Sequence, residues 1–277
     1  VTEIMKVENQ AMDAEIRVYK QGEIAVPMED GTWTFEPAEL SGVWFGIYAA
    51  EEILNVQGEE IVKKDSLVGL GRTDQEGCCR IRETLPAGNY YWKELKTIEG
   101  YILEENSYDF ELAYPPDQTE NEWKIEVNKE QPLMNRLYKA RIILNKKGDD
   151  DKRLPGVAFA LFRDGKKVGE YVTDTDGRIE IGQLPYGNYY FKETKGILGY
   201  LFDAEIKYEF AVEAKDNQII ELNIVNKKEQ DLPVPVTGDS VSMLVGLVLL
   251  MTSILAFIFI NGSGIRRRNR NTGKRTE

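Results

Sequence analysis

Apolar and polar residues alternate with a period of two through much of the chain, which predicts β-strands. The runs 140–146, 157–162, 187–193 and 219–225 follow this pattern and are separated by Gly, Pro and Asp. Asp-Gly pairs, the dipeptides typical of tight hairpin turns, occur at 164–165 and 176–177. No stretch before residue 241 sustains a helical period. Many short strands at this spacing predict an all-β fold built from sandwiches.

The strand pattern occurs twice, and the two copies match in sequence. The matching segments of the first and second copy are 42–48 and 156–162, 73–77 and 173–177, 85–94 and 184–193, and 127–129 and 225–227. Each copy has about the length of a small domain. We therefore predict two tandem β-sandwiches, residues 11–130 and 138–228.

Residues 1–10 are similar to the closing segment of such a copy. Val7-Glu8-Asn9-Gln10 is followed by the alternating segment 16–20, just as 127–131 near the end of the first copy is followed by the alternating segment 142–146. We expect residues 1–10 to be the last strand of a preceding unit, so that the chain is the C-terminal part of a longer array.

An apolar run near the C-terminus predicts a membrane anchor. Residues 241–260 carry no formal charge and are long enough as a helix to cross a bilayer. The segment 261–277 that follows is basic, and positive charge is retained on the cytoplasmic side. We predict a transmembrane helix at 241–260, a cytoplasmic tail at 261–277, a linker at 229–240, and an extracellular location for everything before the helix.

Composition excludes several functions. The chain has no His, which removes His-based triads, metal sites and proton shuttles, and its net charge is -12. Because nucleic-acid binding relies on a basic face, so acidic a chain is not expected to bind nucleic acid. Cys78 and Cys79 are adjacent, so on a strand they point to opposite faces and are expected to be structural. No metal site or cofactor is predicted, since even the EF-hand-like opening Asp174-Thr175-Asp176-Gly177 lacks the later ligands and fits a hairpin turn.

The C-terminal segments together resemble the cell-wall sorting signal of Gram-positive surface proteins. That signal has the pattern LPxTG before an apolar span and a basic tail, and here the motif is Val234-Pro235-Val236-Thr237-Gly238, with Val in place of Leu. The resemblance implies that a sortase cuts between Thr237 and Gly238. It further implies that the Thr237 carboxyl is joined to an amine of peptidoglycan or of a pilin.

The repeated unit resembles the collagen-adhesin B-type domain, also called the SpaA-type or prealbumin-like domain. The marks are a GxxFxLY strand, a TDxxG turn, an LPxGxYYxKE segment and a closing Val-Asn strand. The resemblance implies an immunoglobulin-like or prealbumin-like sandwich used in pilin shafts and adhesin stalks on Gram-positive bacteria. It also implies an intramolecular isopeptide bond between a Lys near the start and an Asn near the end, promoted by an acidic residue.

In the second unit the implied residues are Lys146, Asn226 and Glu193. Alternation places Lys146 on the same face as Ile142 and Leu144, and Asn226 on the same face as Ile224. Burial lowers the pKa of a lysine, so that a neutral amine becomes available. A buried, protonated Glu193 would polarise the Asn226 carbonyl and transfer protons as ammonia leaves.

In the first unit the implied residues are Lys20, Glu94 and Asn128. Lys20 has the expected alternation, but Asn128 falls on the face opposite to the apolar Trp123, Ile125 and Val127. Either a β-bulge restores the register or this unit forms no bond. About a dozen additional residues also separate Lys20 from the GxxFxLY strand.

The leading hypothesis is a structural cell-surface stalk, covalently anchored to the cell wall, whose domains cross-link themselves without catalytic turnover. One alternative is a minor or basal pilin whose sorting signal is joined to another pilin. Another is a module that binds a host or matrix ligand, for which the insertion at 51–70 in the first unit is the expected surface.

Overall fold

Two β-sandwiches follow one another along the chain, as the alternation and the repeat predict. The computed structural model describes residues 11–113 and 123–229, and these contain nineteen strands and no helix. The predicted all-β sandwich fold is confirmed for this part of the chain. The strands of the first sandwich are β1 (Met12–Pro27), β2 (Trp33–Glu39), β3 (Trp44–Ala49), β4 (Ile53–Leu54), β5 (Glu60–Val62), β6 (Leu67–Arg72), β7 (Cys78–Leu85), β8 (Gly88–Lys96), β9 (Ser107–Leu112), β10 (Trp123–Glu126) and β11 (Leu133–Asn135).

The first sandwich consists of two sheets that enclose an apolar core. In one sheet β1 pairs with β2, β7, β10 and β11, and the other has the order β6-β3-β8-β9. Ile16, Val18, Phe45 and Ile47 point inward from the two sheets and are fully buried. β11 lies beyond residue 130, where the sequence predicted this unit to end, and it pairs in parallel with β1.

The second sandwich repeats the arrangement. Its strands are β12 (Lys139–Gly148), β13 (Ala158–Arg163), β14 (Lys166–Val172), β15 (Arg178–Pro185), β16 (Gly187–Lys195), β17 (Tyr200–Leu201), β18 (Tyr208–Val212) and β19 (Gln218–Lys228). The sheet orders are β15-β12-β19-β17 and β14-β13-β16-β18. Ile142, Leu144, Phe159, Leu161 and Phe191 are buried in the core, consistent with the period-two pattern of their strands.

The additional residues after Lys20 form a long hairpin. β1 continues past Lys20 to Pro27 and returns as β2, whereas in the second sandwich a short turn connects the corresponding positions. The hairpin reaches the second sandwich, where Trp33 packs against the second core. There the Tyr171 hydroxyl donates to the Gly31 carbonyl at 2.7 Å, and the Arg163 guanidinium lies 5.9 Å from the Trp33 ring centroid. The hairpin thus connects the two sandwiches in addition to the short linker.

Four sequence predictions concern residues outside the described part of the chain. These are the repeat remnant at 1–10, the sorting motif at 234–238 within the predicted linker, the transmembrane helix at 241–260 and the cytoplasmic tail at 261–277. Within residues 11–113 and 123–229, no helix long and apolar enough to cross a membrane is found.

Candidate functional site: a buried lysine, asparagine and glutamate in each sandwich

In the second sandwich, three polar residues meet inside the apolar core. Lys146 lies on β12, Asn226 on the parallel neighbour β19, and Glu193 on β16 of the facing sheet. Each is at most 3 % exposed. Lys146 pairs with Ile224 in the ladder, so Asn226 lies two residues further along and on the same face. These are the three residues that the sequence singled out in this unit.

The three side chains form a closed hydrogen-bonded network. The Lys146 Nζ donates to the Asn226 Oδ1 and lies 2.9 Å from the Glu193 Oε2. The Asn226 Nδ2 donates to the Glu193 Oε1 at 2.8 Å. The ring centroid of Phe159 is 5.6 Å from the Lys146 Nζ, so an aromatic face closes one side. Burial lowers the pKa of Lys146, an effect that the contact with Glu193 opposes.

The first sandwich contains the same network with a different asparagine. The Lys20 Nζ donates to the Asn135 Oδ1 at 2.7 Å and lies 3.5 Å from the Glu94 Oε2. The Asn135 Nδ2 donates to the Glu94 Oε1 at 2.6 Å. Lys20 pairs with Leu133, so Asn135 has the same two-residue offset that Asn226 has from its lysine's partner. The asparagine in contact with Lys20 is therefore Asn135.

Asn128, which the sequence singled out, is not in contact with the Lys20 amine. Its side chain instead pairs with the backbone of β1: the Tyr19 N–H donates to the Asn128 Oδ1 at 2.7 Å, and the Asn128 Nδ2 donates to the Tyr19 carbonyl at 2.8 Å. The side-chain amide thus replaces the backbone partner that an uninterrupted strand would supply here. The opposite-face position that alternation gave to Asn128 is consistent with this contact.

A four-residue insertion explains the displaced asparagine. Two residues separate Arg17 from Lys20 in β1, but six separate their partners, Glu126 and Leu133. In the second sandwich two residues separate the corresponding partners, Glu221 and Ile224. The additional residues bulge out between β10 and β11, so Val127-Asn128 is not the counterpart of Val225-Asn226. A sequence signal for the true counterpart existed, because Leu133-Met134-Asn135 has the same apolar-apolar-Asn pattern as Ile224-Val225-Asn226.

Burial shifts the pKa values of the two ionisable groups in the first sandwich towards each other. Loss of solvation lowers the pKa of Lys20 to about 8, although Glu94 opposes the shift. Burial raises the pKa of Glu94, and Lys20 and Asn135 oppose that shift. Transfer of a proton from the ammonium to the carboxylate, which yields a neutral amine, is therefore far less costly here than in water.

The TDxxG turn fixes the backbone of each lysine. Gly77 has a φ of 68°, and its carbonyl accepts the Lys20 N–H at 2.8 Å. A Cβ on Gly77 would lie 2.4 Å from the Lys20 carbonyl oxygen. Gly177 makes the same contacts with Lys146, at 2.7 Å for the hydrogen bond and 2.5 Å for the Cβ. The glycine of this motif is thus required by its close approach to the lysine strand.

The other residues that the sequence drew attention to, the two cysteines and the Asp174 turn, have roles in the fold. Cys78 and Cys79 lie on β7, are both buried and are not joined in a disulfide. Asp174 caps a hairpin turn, since its Oδ1 accepts the backbone N–H of Asp176 and of Arg178 at 2.9 Å each. In the part of the chain that the structure describes, no group of three or more acidic or Cys side chains is arranged to hold a metal.

Fold and site together define the class of protein: tandem prealbumin-like sandwiches with a buried Lys, Asn and Glu in each. The model of the SpaA prealbumin-like fold domain matches residues 35–131 and 140–228. The chain belongs to this family.

The solved structures that match this chain include the TIE protein and two pilins. The Bacillus anthracis TIE protein is 26% identical with a TM-score of 0.55, and the match covers 78% of this chain and 35% of that one. A Streptococcal ancillary pilin is 20% identical with a TM-score of 0.32, covering 79% and 63%. The minor pilin GBS52 of Streptococcus agalactiae is 20% identical with a TM-score of 0.31, covering 81% and 99%. This chain thus spans about a third of the length of the TIE protein, and no curated protein matches it.

Proposed function

We propose that this chain is a structural cell-surface stalk whose sandwiches cross-link themselves through Lys-Asn isopeptide bonds and whose C-terminus a sortase joins to the cell wall. The observation that carries the proposal is the occurrence of the same buried Lys, Asn and Glu network in both sandwiches, at the same register offset. The cross-links are Lys20 to Asn135 and Lys146 to Asn226, with Glu94 and Glu193 as the promoting acids.

The reaction is an amide exchange that needs no further reactant. A proton moves from the lysine ammonium to the glutamate, and the neutral Nζ attacks the asparagine Cγ. The Nζ–Cγ bond forms, the Cγ–Nδ2 bond breaks, and the proton lost by Nζ passes through the carboxyl to the departing nitrogen, which leaves as ammonia. In both networks the carboxyl contacts the asparagine Nδ2, which supports a role in proton transfer to the leaving group. Holding the groups in contact supplies the high effective concentration that an unreactive amide requires.

The alternative is a pair of buried salt bridges that only hold the sheets together. Such pairs are poor stabilisers, because removing two charges from water costs several kcal/mol per ion. A counter-ion for lysine would also not require an asparagine in the same place in both sandwiches. Formation of an amide removes both charges from the core, which supports the covalent reading.

The placement of the bonds suits a stalk under tension. Each bond connects the first strand of its sandwich to the last, β1 to β11 and β12 to β19. Pulling force would therefore cross each sandwich near its bond without unfolding the residues enclosed between the linked positions. The bonds also constrain the unfolded chain as disulfides do, and the described residues contain no disulfide.

Intact mass spectrometry of the purified whole chain tests the cross-links. We expect a mass lower than that of the sequence by two molecules of ammonia, and by one in Glu94→Ala or Glu193→Ala. Glu209→Ala, which removes an exposed carboxyl on β18, serves as the control and should retain both losses. An unshifted mass in folded wild-type protein would refute the cross-links.

Wall anchoring rests on the sorting motif at 234–238 and is tested separately. A sortase supplied with an amine nucleophile should release the segment after Thr237 and leave the amine on its carboxyl, and Thr237→Ala should block the reaction. In cell-wall extracts, attachment to peptidoglycan gives products of single-chain size, whereas attachment to a pilin gives a ladder of higher masses. The ladder would favour the pilin alternative.

Ligand binding is a second candidate function, favoured by the surface of the insertion 51–70. Its β4–β5 hairpin exposes Leu54, Val56 and Ile61, each at least 44 % accessible. Removing the hairpin should abolish adhesion to immobilised matrix proteins if this surface binds one. Unchanged adhesion would assign any binding to another part of the protein.

A further inference from the structure

The first network has a polar contact that the second lacks, directly after the strand that carries the glutamate. In the first sandwich, Thr97 follows β8, and its Oγ1 accepts a hydrogen bond from the Asn135 Nδ2 at 2.8 Å. The corresponding residue of the second sandwich is Gly196, three positions after Glu193. A Cβ there would lie 2.5 Å from the Phe202 ring and 3.5 Å from the Glu193 Oε1. An aromatic ring thus lies in the second sandwich where the first has a hydroxyl.

Thr97 completes the binding of the nitrogen that must leave. An asparagine side chain has two N–H donors, and in the first sandwich one goes to the Glu94 Oε1 and the other to the Thr97 Oγ1. With both donors bound, the amide is held with its Oδ1 towards Lys20. In the second sandwich the described contacts of the Asn226 Nδ2 include the glutamate and no hydroxyl.

The need for this additional contact follows from the geometry around Lys20. The Lys20 Nζ is 3.5 Å from the Glu94 Oε2, whereas the Lys146 Nζ is 2.9 Å from the Glu193 Oε2. The Lys20 Nζ also donates to the Leu133 carbonyl at 3.0 Å, which competes for the amine. The lysine and the carboxyl are thus less closely coupled in the first sandwich.

We propose that Thr97 positions the leaving nitrogen of Asn135 for cross-linking in the first sandwich, and that the second sandwich reacts without such a group. The inference rests on the proposed self-cross-linking. The Thr97 hydroxyl holds the amide in the reactive orientation. As the Cγ–Nδ2 bond breaks, the hydroxyl remains hydrogen-bonded to the departing nitrogen, which receives its proton through Glu94.

The test compares Thr97→Val, which keeps the shape and removes the hydroxyl, with Thr97→Ser, which keeps the hydroxyl. The whole chain is recovered unreacted in denaturant and refolded, and ammonia loss is followed with time by intact mass. Peptide mapping assigns each ammonia loss to its sandwich, so the rate of the second cross-link serves as an internal reference in the same molecule. Thr84→Val is the matched control, since the Thr84 hydroxyl donates to the Asp13 carboxylate at the surface.

We expect Thr97→Val to slow the first cross-link by about 10- to 100-fold, the size of one lost hydrogen bond to a reacting group. Thr97→Ser should react within about threefold of wild type, on the same scale, and the second cross-link should be unchanged in every variant. Wild-type kinetics in Thr97→Val would overturn the proposal. Slow formation of the first cross-link in Thr97→Ser would also overturn it, and this variant tests the proposal even if Thr97→Val fails to fold. Absence of ammonia loss from wild-type protein would instead refute the proposed function itself.

Discussion

The two sandwiches place the same three side chains together by different backbone routes. In the second, β19 is an unbroken strand whose first nine residues pair with β12, and the last of these is Asn226. In the first, the closing strand is interrupted by a four-residue insertion, and a separate segment, β11, delivers Asn135. Asn128 fills the interruption by pairing with the Tyr19 backbone. The comparison shows that the asparagine keeps the same register beside the lysine in both sandwiches, although the strand that carries it is interrupted in the first and continuous in the second.

The interruption also opens the first sandwich beside its network. A cavity of about 550 Å³ is lined by Trp92, Tyr108, Asn128 and Leu133, among other residues. Leu133 also accepts a hydrogen bond from the Lys20 amine. The first network therefore lies beside a cavity, although its own three side chains are buried.

The largest effect should come from removing the asparagine that contacts Lys20, compared with removing the other asparagine of the first sandwich. Asn135→Ala should remove one ammonia loss, while Asn128→Ala should retain both. Loss of a bond that encloses more than a hundred residues should lower the free energy of unfolding by about 4 to 5 kcal/mol. Mass spectrometry and scanning calorimetry measure the two effects. Retention of both ammonia losses in Asn135→Ala would exclude this residue as the acceptor.

The hairpin that only the first sandwich possesses should stabilise the second. Trp33→Ala removes a ring that packs on the second core and should lower the stability of that sandwich by about 2 to 3 kcal/mol, since the ring is only partly buried. Trp44→Ala provides the control, because Trp44 lies on β3 and is 36 % exposed. Thermal unfolding, monitored by the temperature at which a protease begins to cut between the sandwiches, measures the effect. Equal melting of both variants would show that the hairpin contributes nothing to the connection.

The pH dependence of the first cross-linking rate should show whether the Lys20 amine acts alone or together with a protonated Glu94. The reactive pair, neutral Lys20 with protonated Glu94, carries one proton in total. Burial lowers the pKa of Lys20 to about 8, so above this pH the pair loses that proton. The rate of the first cross-link should then fall about tenfold per pH unit.

Refolding at a series of pH values with timed mass measurements gives this profile, and tryptophan fluorescence controls for folding. A rate that instead rises through pH 8 would show that only the amine needs to be neutral and that Glu94 does not act as the acid.

The smallest effect should come from the asparagine that fills the interruption. Asn128→Ala removes two hydrogen bonds to the Tyr19 backbone and should cost about 1 to 2 kcal/mol in unfolding free energy. Denaturant unfolding compared with Lys129→Ala, an exposed neighbour, isolates this contribution. A value equal to that of Lys129→Ala would mean that water replaces the side chain without loss.

Much of the site was predictable because it depends on local alternation. The burial of Lys146 beside Ile142 and Leu144, and of Lys20 beyond Ile16 and Val18, follows from the period of two within each strand. Glu94 and Glu193 were singled out by the resemblance to the SpaA-type domain, and they occupy matching positions of the repeat. Lys147 points to the opposite face of the strand and lies at the surface, as alternation predicts. Its Nζ donates a hydrogen bond to the Asp151 carboxylate.

The sequence by itself determined the two β-sandwiches and the faces of their strands, since these depend on neighbouring residues and on the repeat. The resemblance to the SpaA-type domain singled out both lysines and both glutamates of the networks. Only the tertiary structure decided that Asn135 accompanies Lys20, that Thr97 contacts it, and that Trp33 reaches the second core. The physical reason is register: an insertion between two strand segments leaves no mark on the alternation of either. Which asparagine then lies beside the lysine is set by the pairing of strands more than a hundred residues apart.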